Sequence, residues 1–127
     1  MKNVLIIDDE NYIRLLLRRT LEDFEFAGVA LRTASDGQAG LDAVNEHKPD
    51  LIFLDLMMPV LDGYHTCLKL KANPEHKDIP IVILTAKGQL PDFPENAGPD
   101  HCLTKPFDPD QIVELAQSIL GVQVDLD

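Results

Sequence analysis

Short apolar runs alternate with amphipathic stretches along the chain. Residues 2–7 are almost wholly apolar and end abruptly at three acidic residues, a pattern typical of a strand that is buried on both faces. Apolar side chains then recur at helical spacing over residues 11–24, with arginines mostly between them, which predicts an amphipathic helix. A strand followed by a helix is therefore the first unit of the sequence.

The same alternation continues to the end of the sequence. Further strands are predicted over residues 29–34, 51–54, 79–84 and 100–104. Helices are predicted over residues 36–47 and 62–72, and a last helix begins after Asp108 and stops at Gly121. Three prolines and a glycine interrupt residues 88–100, so any helix there should be short or irregular.

This order of elements predicts the fold class. Strands that alternate with helices are typical of a parallel sheet whose right-handed crossovers place helices on both faces. We therefore predict an α/β fold with a doubly wound, five-stranded parallel sheet and a fourth helix that is short or irregular. In such sheets, ligands bind beyond the carboxyl ends of the strands, near the point where the strand order reverses.

Polar residues occupy those strand ends. Asp8 and Asp9 follow the first predicted strand, Asp55 the third, Thr85 the fourth and Lys105 the fifth. Three carboxylates in a small space repel one another unless a cation keeps them ionised, and hard oxygen ligands suit Mg²⁺. With a divalent ion and a lysine to balance phosphoryl charge, Asp55 can act as a nucleophile, and Thr85 can donate a hydrogen bond to a phosphoryl oxygen.

Composition narrows the classes of function. A chain of 127 residues with 45% hydrophobic and 26% charged residues suits one globular domain. No apolar run spans a bilayer and no signal peptide is evident, so we expect a cytoplasmic protein without membrane contact. The formal charge of -11, without a basic stripe, argues against direct nucleic-acid binding. Cys67 and Cys102 lack the spacing of zinc ligands and are expected to be reduced thiols.

Four stretches of the sequence together resemble the receiver domains of bacterial response regulators, the proteins of two-component signalling. They are residues 6–10, 55–63, 83–86 and 103–107, in the family's order and at similar spacing. The resemblance covers nearly the whole chain and implies the chemotaxis-regulator fold, with a receiver domain over residues 1–121 and a tail over residues 122–127. It implies a phosphoacceptor signalling domain, and not an enzyme beyond its own phosphoryl transfer and dephosphorylation.

The resemblance also implies roles for individual residues. Asp9 would bind Mg²⁺ through its side chain, Asp8 would assist directly or through water, and Met57 would contribute its backbone carbonyl oxygen. Asp55 would be both a metal ligand and the phosphoryl acceptor. Lys105 would pair with Asp55 before phosphorylation and with a phosphoryl oxygen afterwards.

Partners and backbone geometry follow from the same resemblance. The phosphoryl donor would be a histidine kinase, a histidine phosphotransfer protein or acetyl phosphate, and the bond from Lys105 to Pro106 would be cis. The output would pass to a downstream protein that the sequence does not identify. No output segment follows Gly121, so a chain that is whole would act by protein contact, whereas a cut-out domain would have its output elsewhere.

Two features of this chain depart from the family. Receiver domains usually carry an aromatic residue three positions before the lysine, and this chain has Cys102 there, which cannot repeat the swing of a large ring. The proline-rich stretch between Thr85 and Lys105 is also slightly shorter than expected. The altered face could recognise a private partner, or the loop could simply tolerate variation.

Three other classes of function are compatible with parts of the sequence. A receiver-shaped binding module indifferent to phosphorylation is favoured by Cys102 and the prolines, and disfavoured by the intact acidic set. A metal-dependent phosphohydrolase with an aspartyl nucleophile typically has a second aspartate two residues on, where this chain has Met57. A flavodoxin-like cofactor protein is the weakest, since the acidic residues 8–10 would repel a phosphate.

Overall fold

Five strands form one parallel sheet in the computed structural model, which describes residues 1–86 and 88–124. The strands are β1 (Asn3–Ile7), β2 (Ala30–Ala34), β3 (Leu51–Asp55), β4 (Ile81–Ala86) and β5 (His101–Lys105). Their order is β2-β1-β3-β4-β5, and every neighbouring pair is parallel. The predicted doubly wound sheet is confirmed, and its order reverses between β1 and β3, whose carboxyl ends lie side by side.

Helices cover both faces of the sheet. They are α1 (Asn11–Thr20), α2 (Glu22–Phe26), α3 (Gly37–Glu46), α4 (Gly63–Ala72) and α5 (Pro109–Leu120). Alternate residues of β1 point to opposite faces, so Ile6 packs with α1, α2 and α5, whereas Ile7 packs with α3 and α4. Among the described residues, none of the helices has the length and apolar character that crossing a membrane requires.

The helix predicted over residues 11–24 is two helices. Leu21, with φ -98° and ψ 9°, leaves helical geometry and separates α1 from α2. The backbone N–H of Phe24 donates to the carbonyl oxygen of Leu21 at 2.9 Å, a bond that spans three residues instead of four and tightens the chain. Phe24 is fully buried in the core beneath α2. The apolar spacing of the sequence continues through Leu21 and therefore does not indicate this break between the two helices.

Strand β4 lies two residues further along than predicted. The prediction placed it over residues 79–84, but Pro80 has no backbone N–H to donate to a ladder, and the strand begins at Ile81. It continues to Ala86, so Thr85 lies within the strand and not after it. The strands β3 and β5 likewise include the residues expected to follow them, Asp55 and Lys105.

The segment between β4 and β5 forms turns and bends, with no helix among its described residues 88–100. The Phe93 ring packs against the Tyr64 ring of α4, with centroids 5.0 Å apart. Asp100 closes the segment, since its Oδ2 accepts from the Ile81 N–H at 2.8 Å and from Lys71 Nζ at 3.0 Å. Side-chain packing and these hydrogen bonds hold the segment in place. The short or irregular helix that the sequence predicted here is not formed by the described residues.

The carboxyl-terminal helix follows its sequence signals closely. The Asp108 side chain accepts a hydrogen bond from the Asp110 backbone N–H at 2.9 Å, and Pro109 is the first helical residue. Gly121 ends α5 with φ 70°, a left-handed conformation that favours glycine. The predicted tail runs to residue 127, and its residues 125–127 lie outside the described part of the chain.

Candidate functional site

Two buried carboxylates meet where the strand order reverses. Asp8 directly follows β1 and is fully buried, and Asp55 ends β3 with 4% of its surface exposed. Oδ1 of Asp8 accepts the backbone N–H of Glu10 at 2.9 Å. Oδ2 of Asp8 is buried without a hydrogen-bond partner among the described residues. A buried anionic oxygen without a donor is unfavourable, so it points to a cation that belongs there.

Lys105 reaches this pair from the end of β5. Its Nζ donates a hydrogen bond to Oδ1 of Asp55 at 3.1 Å and lies 3.6 Å from Oδ2 of Asp8, too far for a hydrogen bond to that atom. The side chain of Lys105 is 24% exposed, so it is partly accessible to solvent, whereas both carboxylates are buried. Lys105 therefore contacts one predicted site residue directly and a second through charge alone.

The charges of the site are unbalanced. Burial raises the pKa of Asp55 to about 6, the charge of Asp8 adds to the rise, and the bond to Lys105 only partly opposes it. Burial also raises the pKa of Asp8. Desolvation is the largest single effect on Lys105 and disfavours its charged form, but the hydrogen bond to Asp55 and the nearby carboxylate charges together exceed it and raise the pKa of the ammonium group. One more positive charge would suit the site.

A further cluster of oxygens adjoins the buried pair. Carboxylate oxygens of Asp8, Asp9 and Glu10 lie within 4.8 Å of one another, with Asp9 and Glu10 exposed. Hard oxygen ligands that mix buried and solvent-facing positions fit Mg²⁺, which keeps several waters when bound. The unpartnered Oδ2 of Asp8 and this donor set together fit a divalent ion. Glu10 was not among the predicted ligands, although its position beside Asp9 was visible in the sequence.

Thr85 and Met57 are the two remaining predicted site residues. Thr85 is 6% exposed, and its hydroxyl donates to the Ala86 carbonyl oxygen at 3.2 Å, a long bond that can be exchanged for another acceptor. Met57 lies two residues after Asp55, with its side chain 66% exposed. The predicted contribution of Met57 is its backbone carbonyl, for which an exposed side chain is no obstacle.

Gly63 holds the loop that carries Met57, and it was not among the predicted site residues. Its backbone N–H donates to the Leu56 carbonyl oxygen at 2.8 Å, and the Leu56 N–H donates to Leu84 at 3.1 Å. A methyl group on Gly63 would collide with the Asp55 carbonyl oxygen and lie 2.7 Å from the Leu56 Cα. The sequence did contain a signal for this role, because Gly63 directly follows the N-cap residue Asp62, eight residues beyond the candidate acceptor.

Strand β5 contains Cys102 and ends at a peptide bond to proline. The peptide bond between Lys105 and Pro106 is cis, as the resemblance implied. Cys102 pairs with Ile83 in the sheet, and its side chain is exposed on the edge strand. The position that is usually aromatic in the resembling family therefore has a small, accessible thiol.

The sequence of this chain is similar to those of known response regulators. The sequence profile described as the response regulator receiver domain matches residues 4–117. The chain is 38% identical over 94% of its length to the DNA-binding dual master transcriptional regulator RpaA of Synechocystis, and 39% identical over 92% to the transcriptional regulatory protein SrrA of Staphylococcus aureus. It covers 49% and 47% of those two proteins, so it spans about half the length of these curated relatives.

Solved structures show the same likeness. The chemotaxis response regulator CheY4 of Vibrio cholerae superposes with a TM-score of 0.79 at 30% identity, over 94% of this chain and 98% of that one. The receiver domain of NtrX from Brucella abortus superposes with a TM-score of 0.77 at 30% identity, over 94% of this chain and 99% of that one. The similarity therefore extends over almost the whole of both chains.

Proposed function

The chain belongs to the response regulator receiver domain family, and from this premise we propose that Asp55 accepts a phosphoryl group in a Mg²⁺-dependent reaction. The position of Asp55 carries the proposal. Its buried carboxylate lies 3.1 Å from the Lys105 ammonium group and beside the buried carboxylate of Asp8. A carboxylate next to a cation can attack phosphorus while the charge of the incoming group is balanced.

The Mg²⁺ ion would be held by four groups. They are the side chains of Asp8, Asp9 and Asp55 and the backbone carbonyl oxygen of Met57. The unpartnered Oδ2 of Asp8 and the excess negative charge of the site support this set. When bound, the ion supplies positive charge that reduces the repulsion between the phosphoryl oxygens and these carboxylates.

Three residues of this chain act on the phosphoryl group during the transfer. A carboxylate oxygen of Asp55 forms a bond to phosphorus as the phosphorus–nitrogen bond of a donor histidine breaks, and the bonding electron pair leaves with the imidazole. Lys105 moves from Asp55 to a phosphoryl oxygen and keeps that oxygen's charge balanced. The Thr85 hydroxyl exchanges its long bond to Ala86 for a second phosphoryl oxygen. The result is an acyl phosphate on a strand end.

The wider role is part of the same proposal. The donor is a histidine kinase or histidine phosphotransfer protein, and the phosphorylated surface contacts a downstream protein in the cytoplasm. We propose the receiver unit over residues 1–121 and the tail over 122–127, supported by the profile match and by the end of α5. Catalysis is limited to the domain's own phosphorylation and dephosphorylation. The expectation of no direct nucleic-acid contact stays a prediction, since one relative is named as DNA-binding and only half of it is matched.

Intact mass after incubation with acetyl phosphate tests the phosphoryl acceptor. Wild-type protein should gain one phosphoryl group with Mg²⁺ and none in EDTA, and Asp55→Asn should gain none. Asp42→Asn is the matched control, because Asp42 is an exposed helix residue outside the site. An adduct that persists in Asp55→Asn would contradict the assignment.

A binding module indifferent to phosphorylation is the second candidate. Exposed Cys102 at the usual aromatic position, together with the irregular residues 88–100, favours it, because the customary ring movement is lacking. Beryllofluoride, a stable phosphoryl mimic, separates the two candidates even if the acyl phosphate is short-lived. Amide NMR shifts that spread from Asp55 to β4 and β5 would support switching. Binding of Mg²⁺ without any effect of beryllofluoride would support the constitutive module.

A further inference from the structure

The Arg14 side chain is tied to the turn that carries the acidic residues. Its Nη1 donates to the backbone carbonyl oxygen of Asp8 at 2.6 Å, and its Nη2 donates to Oδ1 of Asn11 at 3.3 Å. The first bond is short and comes from a charged donor, so it is among the stronger hydrogen bonds that a backbone carbonyl can accept. Arg14 therefore fixes the end of β1 from a position on α1.

Two other bonds restrain the same residue. The Asp8 backbone N–H donates to the Ala34 carbonyl oxygen at 3.1 Å, and Oδ1 of Asp8 accepts the Glu10 N–H at 2.9 Å. With the bond from Arg14, the amide, the carbonyl and one carboxylate oxygen of Asp8 all have partners. The remaining atom, Oδ2, is buried and has no hydrogen-bond partner in the described chain. The three hydrogen bonds therefore fix the position of Asp8 and leave Oδ2 free to accept another ligand.

Ion pairing does not account for the position of Arg14 in its helix. It is the fourth residue of α1 and lies near the helix N-terminus, which the acidic residues 8–10 directly precede. Within residues 1–86 and 88–124, no carboxylate oxygen lies within 4.0 Å of its guanidinium, so a surface ion pair does not account for it. The short bond to the Asp8 carbonyl oxygen is therefore the contact that accounts for the position of the guanidinium group.

We infer that Arg14 is a positioning residue for the divalent cation, which acts by holding the Asp8 backbone so that Oδ2 faces the ion. This inference rests on the proposed Mg²⁺ site and adds to it a residue that does not touch the metal. Groups that orient metal ligands typically change metal affinity by about 10–100-fold when they are removed. Because only one of three restraints on Asp8 is lost, we expect the lower end of that range.

Isothermal titration with Mg²⁺ tests the inference on the intact chain. Arg14→Ala should bind Mg²⁺ roughly tenfold more weakly than wild type. Arg14→Lys keeps a donor that can reach the Asp8 carbonyl, and its affinity should return to within about threefold of wild type. Arg18→Ala is the matched control, because Arg18 lies one turn along α1 in an exposed pair with Glu25 and should leave the affinity unchanged.

The rise in melting temperature on adding Mg²⁺ separates positioning from simple stability. A purely structural role would lower the melting temperature of Arg14→Ala with and without Mg²⁺ alike, whereas a positioning role also shrinks the Mg²⁺-induced rise. Arg14→Met retains much of the aliphatic stem and gives a second variant without donors. Unchanged Mg²⁺ affinity in either folded variant, or failure of both to fold, would overturn the inference. If wild type itself binds no Mg²⁺, the proposed metal site fails instead.

Discussion

The ammonium group of Lys105 lies 3.1 Å from Oδ1 of Asp55 and 3.6 Å from Oδ2 of Asp8, so two buried carboxylates share one cation. A single positive charge does not balance two negative charges in a poorly solvated site. The pKa of Asp55 is raised to about 6 from its ordinary value of 3.8, chiefly because burial disfavours the charged form and then because the charge of Asp8 repels it. The metal-free fold carries this imbalance as an electrostatic penalty.

The metal-free protein should become less stable as pH rises and Asp55 ionises. Because the folded pKa of Asp55 is raised, folded protein binds the proton more tightly than unfolded protein, and the stabilisation is complete below pH 3.8 and lost as pH rises through about 6. Asp55→Asn cannot ionise. Between about pH 4 and pH 7 the variant should therefore gain about 2–3 kcal/mol relative to wild type.

Urea unfolding in EDTA at several pH values measures this difference. Asp42→Asn, an exposed carboxylate on α3, should follow the wild-type curve because it lies outside the imbalance. Parallel pH curves for wild type and Asp55→Asn would show that the Asp55 carboxylate is not held at a raised pKa. Saturating Mg²⁺ should remove most of the gap, since a cation favours the ionised form.

Gly63→Ala should disturb both the fold and the site. The added methyl group would overlap the Asp55 carbonyl oxygen, and rigid backbone cannot move aside cheaply. We expect a loss of about 2–3 kcal/mol in the free energy of unfolding. Gly98→Ala is the control, because an added methyl group there comes no closer than 3.3 Å, to the Phe93 Cβ, and Gly98 is not in the left-handed conformation. Equal losses in the two variants, measured by urea unfolding, would argue against backbone crowding at Gly63.

Val60 should be replaceable with a gain in stability. It has φ 70° in the loop between β3 and α4, a conformation that is strained for a β-branched residue, and 81% of its surface is exposed. Asparagine tolerates this conformation, so Val60→Asn should raise the free energy of unfolding by roughly 1 kcal/mol. Val60→Thr keeps the branched shape and should change little. Thermal unfolding that ranks threonine above asparagine would contradict strain as the cause.

Much of the fold was predictable because burial on both faces leaves a clear record in the sequence. Residues 51–54 are uniformly apolar, and the polar residues after such runs were expected to meet at one edge because parallel strands end together. The contact between Lys105 and Asp55, 50 positions apart, follows from that topology. Helix α5 was predictable for a different reason, since its cap and stop signals are local.

Other features depend on tertiary contacts that leave no local pattern. The bond from Arg14 to the Asp8 carbonyl involves a backbone acceptor, which every residue has, so the sequence does not mark it. The break at Leu21 interrupts an apolar spacing that reads as one helix. Glu10 was visible beside Asp9, but only the three-dimensional structure places its oxygen near theirs.

The two thiols should differ sharply in reactivity. Cys102 is exposed on β5, whereas Cys67 is fully buried in α4, where burial raises its pKa to about 11 and its Sγ donates to the Ala97 carbonyl oxygen at 3.6 Å. A protein thiolate attacks the disulfide bond of a reagent such as dithiobisnitrobenzoate, and the reagent must be able to reach it, so native protein should react rapidly at one thiol only. Cys102→Ser should abolish this fast phase, and Cys67→Ser should leave it intact. Urea should expose the second thiol. Fast reaction of Cys67 in native protein would mean that residues 88–100 open away from α4, contrary to the packing of Phe93 on Tyr64.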